Sequence, residues 1–297
     1  MNSKFKSGFV ALAGRPNVGK SSLMNTVIGQ KITIISEKPQ TTRNQLKGIL
    51  TGPDYQIVWI DTPGLHRPLH KLGTQMVATA QTAFFNVDLL LWVLDAGTGL
   101  TAADHKVAAE LPQAGVPLFV IWNKMDLSEA DKVKETKLPD LPGLEKVFEV
   151  SAVTGAGVPE LLEAVIARLP SGPPFYPEDM VTDHPERFIA GEFIREQILR
   201  FTKDEVPHSI AVQVNEMKER AGDRVYVEAV IFVERDSQKA IVIGAGGERL
   251  KSIGQAARLD LEAMLDAPVF LNLWVKVRKN WRNNENALKE FGYWEKE

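Results

Sequence analysis

Hydrophobic residues in the first 170 positions form short continuous runs that alternate with stretches of helical spacing. Runs of strand length occur at 8–13, 45–51, 56–61, 88–95, 117–122 and 147–150, and the run LLLWVL at 89–94 contains no polar residue. Apolar residues three or four apart predict helices at 20–29, 102–111 and 157–168. Strands that are apolar throughout are typical of a parallel sheet with helices on both faces. We therefore predict an α/β domain with an open, mostly parallel sheet.

The pattern changes after the proline-rich stretch LPSGPPFYP at 169–177, which cannot continue a helix. Beyond it we predict a helix at 185–203, alternating strands at 209–218 and 224–234, a helix at 248–265 and a strand at 269–277. These elements predict a second, α+β domain. The expected division is 1–172 for the first domain, 173–183 for a linker, and 184–297 for the second domain with a C-terminal tail.

Length and charge narrow the functional classes. The 297 residues are enough for two domains, and a net charge of −3 gives no overall positive field, so any nucleic-acid site must be local. The absence of cysteine excludes disulfides, thiolate metal ligands and thiol catalysis, and it suits a reducing cytosol. No apolar window approaches the length that spans a bilayer. We therefore expect a cytoplasmic protein whose membrane contacts, if any, are peripheral.

The stretch GRPNVGKS at 14–21 lies between the first predicted strand and the first predicted helix, and it fits the phosphate-binding loop pattern. Backbone N–H groups of such a loop, together with the positive end of the helix dipole, bind phosphate. Lys20 is expected to reach the β- and γ-phosphates, and the Ser21 hydroxyl to hold Mg²⁺.

Further polar motifs follow the predicted strands, at the sheet edge where such domains bind ligands. After strand 56–61 comes DTPG at 61–64, in which Asp61 could hold Mg²⁺ through water and the Gly64 N–H could contact the γ-phosphate. Either Thr41 or Thr42 could complete the magnesium coordination, and we favour Thr42. Arg43, which follows, is expected to be solvated rather than catalytic.

The motif NKMD at 123–126 follows strand 117–122 and indicates guanine as the base. The Asp126 carboxylate can accept hydrogen bonds from N1–H and the 2-amino group of guanine, a donor pair that adenine lacks, so such a site rejects adenine. Lys124 would stack on the base, Asn123 would tie this loop to its neighbours, and SAV at 151–153 could contact the guanine O6. The motif argues against the alternative of a small-molecule kinase or ATPase.

In order and spacing, these five motifs resemble a small GTPase. Leu65 stands where Ras-like proteins have the glutamine that orients water, so the chain is similar to the hydrophobic-substituted class of bacterial ribosome and tRNA-modification GTPases. Asn17 matches the members of that class that use K⁺ near the phosphates, which makes K⁺ a possible further cofactor besides GTP or GDP and Mg²⁺. Without a glutamine or an arginine finger, we expect slow intrinsic hydrolysis that K⁺ or RNA stimulates.

The second domain resembles a type II K-homology domain, because GAGG at 244–247 stands between predicted helical segments. In that module the loop contacts the backbone of about four nucleotides of single-stranded RNA. Nearby cations could neutralise phosphates, although each could equally be a solvated surface residue. The candidate RNA-binding residues are Gly244, Ala245, Gly246, Gly247, Arg249, Lys251, Arg258, Lys276, Arg278 and Lys279, with Arg282 beyond them.

A GTPase domain of this class joined to a K-homology domain resembles the Era family of bacterial GTPases over essentially the whole chain. The resemblance implies binding to the 3′ region of 16S rRNA and to the small (30S) ribosomal subunit, a role in ribosome assembly and peripheral membrane association. We expect the protein to be a monomer. Intact Lys20 and Asp126 argue against an RNA-binding protein with a vestigial nucleotide site. A tRNA-modifying GTPase is disfavoured because no modifying cysteine or cofactor domain is present.

The candidate residues of the first domain follow from these motifs. Lys20, Thr42 and Gly64 are the candidate catalytic residues, and Ser21, Thr42 and Asp61 are the candidate metal ligands. The candidate nucleotide-binding residues are Gly14, Arg15, Pro16, Asn17, Val18, Gly19, Lys20, Ser21, Ser22, Asp61, Thr62, Pro63, Gly64, Leu65, Asn123, Lys124, Met125, Asp126, Ser151, Ala152 and Val153.

Overall fold

The computed structural model describes residues 5–38, 40–64, 68–111, 116–127, 133, 136–220 and 223–294. The chain divides into two compact units. The first unit takes the described residues of Met1–Thr33, Thr42–Arg67 and Met76–Asp183, and the second takes Ile34–Thr41, Pro68–Gln75 and His184–Glu297. Two short segments from the first half of the sequence therefore belong to the second unit, which no hydrophobic pattern indicated.

A six-stranded sheet forms the centre of the first unit, in the order β2-β3-β1-β4-β5-β6. All neighbouring strands are parallel except β2, which runs antiparallel to β3. The prediction of an open, mostly parallel sheet is confirmed. The strands are β1 Lys6–Ala13, β2 Leu46–Gly52, β3 Tyr55–Asp61, β4 Leu89–Asp95, β5 Leu118–Asn123 and β6 Leu144–Glu149.

The helices that accompany this sheet are α1 Lys20–Ile28, α2 Lys71–Ala83, α3 Ala102–Glu110 and α4 Val158–Arg168. Three match predicted helices, whereas α2 was missed. Its buried hydrophobic residues are Leu72, Met76, Ala80 and Ala83. Two of these four are alanines, so the apolar face of α2 gives a weak signal in the sequence.

The segment predicted as a linker, 173–183, packs on the sheet of the first unit. The Gln56 side chain accepts hydrogen bonds from the backbone N–H groups of Phe175 and Tyr176, at 2.6 and 3.0 Å. The Ile49 N–H donates to the Val181 carbonyl at 2.9 Å. These bonds hold the segment along β2 and β3.

The second unit has a three-stranded sheet in the order β7-β8-β9, with β7 and β8 antiparallel and β8 and β9 parallel. Helices α5 and α8 pack on one face of this sheet, where Val227, Ala229 and Ile231 are fully buried. The elements are α5 Glu186–Phe201, α6 Val206–Ser209, β7 Ala211–Arg220, β8 Arg224–Val233, α7 Asp236–Ile243, α8 Glu248–Leu265, β9 Val269–Val277 and α9 Glu285–Glu290. Within the described part of the chain, no helix combines the length and apolarity that crossing a membrane requires.

Candidate functional site

The loop between β1 and α1 has a backbone that only glycine tolerates at two positions. Gly14 and Gly19 have φ values of +151° and +96°. A Cβ at Gly14 would lie 2.6 Å from the Val93 carbonyl oxygen, and a Cβ at Gly19 would lie 2.3 Å from the Asn123 side-chain nitrogen. The two glycines therefore let the loop wrap tightly at the carboxyl end of the sheet, as a phosphate-binding loop requires.

Lys20 is a buried cation at the start of α1. Its ammonium donates hydrogen bonds to the carbonyls of Gly14 and Arg15, at 2.9 and 3.1 Å. Burial lowers the pKa of Lys20 to about 8; the Asp61 carboxylate opposes this effect and the Arg15 charge adds to it. The phosphate-binding loop thus surrounds a positive charge that is poorly solvated, which favours an anionic ligand beside it.

The three candidate metal ligands meet in one cluster. The Ser21 hydroxyl donates to Asp61 Oδ2 at 2.6 Å and lies 3.1 Å from the Thr42 hydroxyl, which in turn donates to Asp61 Oδ2 at 3.2 Å. The hydroxyl of Thr41 instead bonds the Lys38 carbonyl at 2.5 Å. Of the two adjacent threonines, it is therefore Thr42 that faces Ser21 and Asp61.

Asp61 is fully buried at the end of β3, and burial raises its pKa, against the Lys20 charge and the hydrogen bonds from Ser21 and Thr42. Its second oxygen, Oδ1, is also buried and accepts no hydrogen bond of normal geometry from the described residues. A carboxylate left in this state benefits from a cation, and oxygen donors are the ligands that Mg²⁺ prefers. The residues present therefore fit a magnesium ion.

The rest of the DTPG motif connects β3 to the phosphate-binding loop. The Thr62 hydroxyl donates to the Leu12 carbonyl of β1 at 2.8 Å. Gly64 lies against the Pro16 ring, so closely that a Cβ at this glycine would be 2.8 Å from Pro16 Cγ. Leu65, which carries the resemblance to the hydrophobic-substituted class, lies outside the described residues.

At the base-binding end, Asn123 joins three segments. Its amide nitrogen donates to the Val18 carbonyl of the phosphate-binding loop, and its amide oxygen accepts from the Ala152 N–H, both at 2.9 Å. Asp126 accepts a hydrogen bond from the Ser151 hydroxyl at 2.5 Å and remains exposed. The structure thus brings NKMD, SAV and the phosphate-binding loop to one rim of the sheet.

Sequence reasoning missed two carboxylates that hold this rim. Asp104 is fully buried in the first turn of α3 and bonds Arg15 Nε at 3.2 Å, while the Arg15 guanidinium also donates to Thr98 at 2.6 Å. Asp95, at the end of β4, accepts from the Lys124 ammonium at 2.7 Å and lies 3.8 Å from the Arg15 guanidinium. Asp95 therefore links the phosphate-binding loop, through Arg15, to the NKMD loop, through Lys124. A capping box, Thr101 with Asp104, was the available signal.

In the second unit, the GAGG loop separates α7 from α8. A Cβ at Gly244 would lie 2.7 Å from Arg249 Cβ, whereas Cβ atoms at Gly246 and Gly247 would meet nothing within 4 Å. Next to the loop is a groove of about 540 Å³ between α8 and β9. Gly247, Lys251 and Arg258 line this groove. The structure therefore places part of the predicted RNA-binding set beside one concave surface.

The other cations that were predicted to bind RNA do not line this groove. Arg249 donates to the Ile241 carbonyl. Arg278 pairs with Glu290 at 2.8 Å, and Arg282 pairs with Glu234 at 2.5 Å. Lys276, at the end of β9, and Lys279 after it lie outside the groove lining. Arg249 lies next to Gly244 of the GAGG loop, but none of these five cations lines the groove beside it.

Comparison with known proteins agrees with this geometry. Residues 9–124 match a family described as 50S ribosome-binding GTPase, and residues 205–282 match the KH domain family. The chain is 46% identical over 294 residues to the GTPase Era of Carboxydothermus hydrogenoformans, covering 98% of this chain and 99% of that protein.

Two solved structures are similar over nearly the whole chain, each at 38% identity and covering 97% of this chain and 99% of the other. One is Era in complex with MgGDPNP and nucleotides 1506–1542 of 16S ribosomal RNA, with a TM-score of 0.91. The other is a variant of Aquifex aeolicus Era bound to GDP and AlF₄⁻, with a TM-score of 0.89. The chain described here belongs to the Era family of GTPases.

Proposed function

We propose that this protein is a GTP-hydrolysing switch that binds the 3′ region of 16S rRNA and acts in assembly of the small ribosomal subunit. One observation carries the proposal: Ser21, Thr42 and Asp61 converge beside Lys20, in the same chain as a GAGG loop with an open groove. The relatives bound to MgGDPNP with RNA, and to GDP with AlF₄⁻, support both halves of it.

Hydrolysis transfers the γ-phosphoryl group of GTP to water, and positioning and charge neutralisation do most of the work. Lys20 would leave its two carbonyl partners and neutralise the β- and γ-phosphates. Ser21, Thr42 and Asp61 would hold Mg²⁺, which when bound neutralises charge on the phosphates. The Gly64 N–H would contact the γ-phosphate. We expect slow basal turnover, which K⁺ near Asn17 or bound RNA would raise.

Guanine selection would rest on the exposed Asp126 carboxylate, which Ser151 holds by a hydrogen bond. Two hydrogen bonds from guanine to a charged acceptor are worth more than neutral ones, and adenine cannot make them. If ATP displaced GTP at equal concentration, this assignment would be wrong and the ATPase alternative would stand.

The chain itself provides a route by which the nucleotide could act on RNA binding. Within the second unit, the Ile35 N–H donates to Glu196 of α5 at 2.7 Å, and the guanidinium of the buried Arg195 donates to the Thr41 carbonyl. The next residue along the chain is Thr42, a candidate Mg²⁺ ligand. Ordering of Thr42 by GTP and Mg²⁺ would therefore constrain a segment that bonds to α5.

RNA binding can be tested by changing the charge at Ala245, which is exposed. Ala245→Asp places a negative charge where a phosphate would lie, and Ala245→Asn is the neutral control of the same size. We expect the aspartate variant to bind an RNA of the 16S rRNA 3′ end at least tenfold more weakly than the asparagine variant. Basal GTP hydrolysis should be equal in both. Equal RNA affinity of the two variants would contradict the proposed function.

The remaining expectations concern location and assembly state. We propose that the protein is cytoplasmic and monomeric, and that any contact with a membrane is peripheral. Flotation with anionic vesicles tests the membrane contact, and sedimentation of the full chain tests the monomeric state.

A further inference from the structure

The sheet of the second unit has one face turned away from α5 and α8. Side chains alternate between the two faces along a strand, and Val225, Val227 and Val269 point inward and are buried. Their neighbours Tyr226 and Phe270 therefore point outward, and they lie directly opposite each other in the β8–β9 register. Trp274 lies four residues further along β9, on the same outward face.

On this outward face a guanidinium group and two aromatic rings stack one after another across the strands, from β7 to β9. The Arg220 guanidinium lies 4.2 Å from the centre of the Tyr226 ring. The Tyr226 and Phe270 rings follow, with their centroids 5.9 Å apart and their planes inclined by 14°. Because β9 is the last strand in the order β7-β8-β9, no strand among the described residues lies beyond the far side of the Phe270 ring. The stack therefore ends on an open aromatic surface.

The exposed aromatic area is large for a solvent-facing sheet. Phe270 is 58% exposed and Trp274 is 54% exposed. The carboxylates on this face already have partners, because Glu216 pairs with Lys218 and Glu228 accepts from the Tyr226 hydroxyl at 3.2 Å. Asn272 also donates to Glu228, at 3.4 Å. The face thus combines exposed aromatic surface with cations, which are the features that bind unpaired bases.

The outward face is continuous with the groove beside the GAGG loop, since Phe270 and Leu271 are successive residues of β9 and both line that groove. A K-homology groove holds about four nucleotides. The RNA bound by the similar Era structure spans nucleotides 1506–1542, a length of 37 nucleotides, so most of it must lie outside such a groove.

We propose that the platform formed by Tyr226, Phe270 and Trp274 is a second RNA site, which stacks unpaired bases of a strand that leaves the groove across the β9 edge. One base extends the stack on Phe270, and another lies on Trp274, about 13 Å further along the strand. Arg220 and Lys276 face the phosphates. This inference rests on the proposed function, and it assigns RNA contacts to the sheet face opposite α5 and α8.

The test compares Trp274→Ala with Trp274→Phe, which keeps an aromatic surface, on RNAs of different length. One RNA corresponds to nucleotides 1506–1542 of 16S rRNA. The others are fragments of it shortened stepwise to about four nucleotides, the length that a K-homology groove holds. We expect Trp274→Ala to weaken binding of the long RNA by about 5- to 150-fold, which is the effect of losing one stacked base. Trp274→Phe should bind the long RNA almost as tightly as wild type does. Binding of the shortest fragment and basal GTP hydrolysis should not change.

Several results would contradict the proposal that this platform binds RNA. One is equal affinity of wild type and Trp274→Ala for the long RNA while Ala245→Asp still impairs it, which would leave the proposed function standing. Another is an equal loss of affinity for the long and the shortest RNA in Trp274→Ala, which would make Trp274 part of the groove. A third is a dimer in sedimentation that Trp274→Ala abolishes without changing RNA affinity, which would make the face a self-association surface. If Ala245→Asp affects neither RNA, the proposed function itself fails.

Discussion

Removing the Asn123 side chain should separate the phosphate end of the nucleotide site from its base end. Asn123 is 1% exposed, and its amide donates to the Val18 carbonyl and accepts from the Ala152 N–H, each at 2.9 Å. In Asn123→Ala both backbone groups lose their partner inside the protein. The change leaves every charged group of the site in place.

The magnitude follows from counting these bonds. A buried polar group left without a hydrogen bond costs about 1–3 kcal/mol, so two such groups should lower the free energy of unfolding by about 2–6 kcal/mol. Asn123→Asp tests the same geometry differently, because a carboxylate can still accept from Ala152 but cannot donate to Val18. Its cost should include repulsion between the carboxylate and the Val18 carbonyl oxygen, so it should not restore stability.

Urea denaturation of the nucleotide-free protein measures these costs, and titration with GTP measures the effect on binding. The matched control is Asn86→Ala, at an exposed asparagine of the same unit, which should change the free energy of unfolding by less than about 0.5 kcal/mol. We expect Asn123→Ala to weaken GTP binding at least tenfold. If its unfolding free energy matched that of Asn86→Ala, the role assigned to Asn123 would be wrong.

Three further changes act on the same rim. Gly19→Ala should lower GTP affinity at least tenfold in a binding titration because its Cβ would lie 2.3 Å from Asn123, whereas Gly29→Ala, with φ +81° and free space, should leave affinity unchanged. Asp104→Ala should destabilise the protein by about 2–4 kcal/mol in urea, since it removes the side chain that accepts from the Thr101 N–H in the capping box and the carboxylate that pairs with Arg15. Burial lowers the pKa of Lys20 from 10.5 to about 8, so its charge opposes folding below pH 8. Lys20→Met should therefore stabilise the nucleotide-free protein by about 3 kcal/mol at pH 7. That gain should shrink as the pH rises from 8 to 10.5, where the unfolded chain alone still binds the proton, while GTP binding is lost at every pH.

The sequence predicted β1, β3, β4 and β5 well because these strands are buried almost throughout and contain few polar residues. The edge strand β6 is mostly exposed and carries three charged residues, and its first half was missed. The sequence also predicted where the nucleotide-binding motifs lie, since motifs that follow parallel strands must meet at one edge of the sheet. Local pattern could not distinguish Thr41 from Thr42, which are adjacent and of the same type. The bonds of Thr42 to Ser21 and Asp61 depend on where the preceding segment lies.

Long-range polar contacts were the other features that the sequence did not provide. Arg15 and Asp104 are 89 positions apart, and nothing in either local pattern indicates the pairing. Helix α2 was missed because alanine contributes little to the apolar pattern on which helix prediction depends. The proline-rich segment 173–183 reads as a linker by composition, yet its backbone bonds with Gln56 and Ile49 could only be seen in the folded chain.

Guanine selection coupled to phosphoryl transfer is the central claim, and one measurement tests it directly: kcat/KM for hydrolysis of GTP and of xanthosine triphosphate by wild type and by Asp126→Asn. Xanthine presents an oxygen where guanine has its amino group, so the amide of the variant can donate where the carboxylate accepted. We predict that wild type prefers GTP by about 100-fold or more and that Asp126→Asn reverses the preference. Asp179→Asn, at an exposed aspartate, should match wild type. An unchanged preference in Asp126→Asn would contradict the assignment of this site.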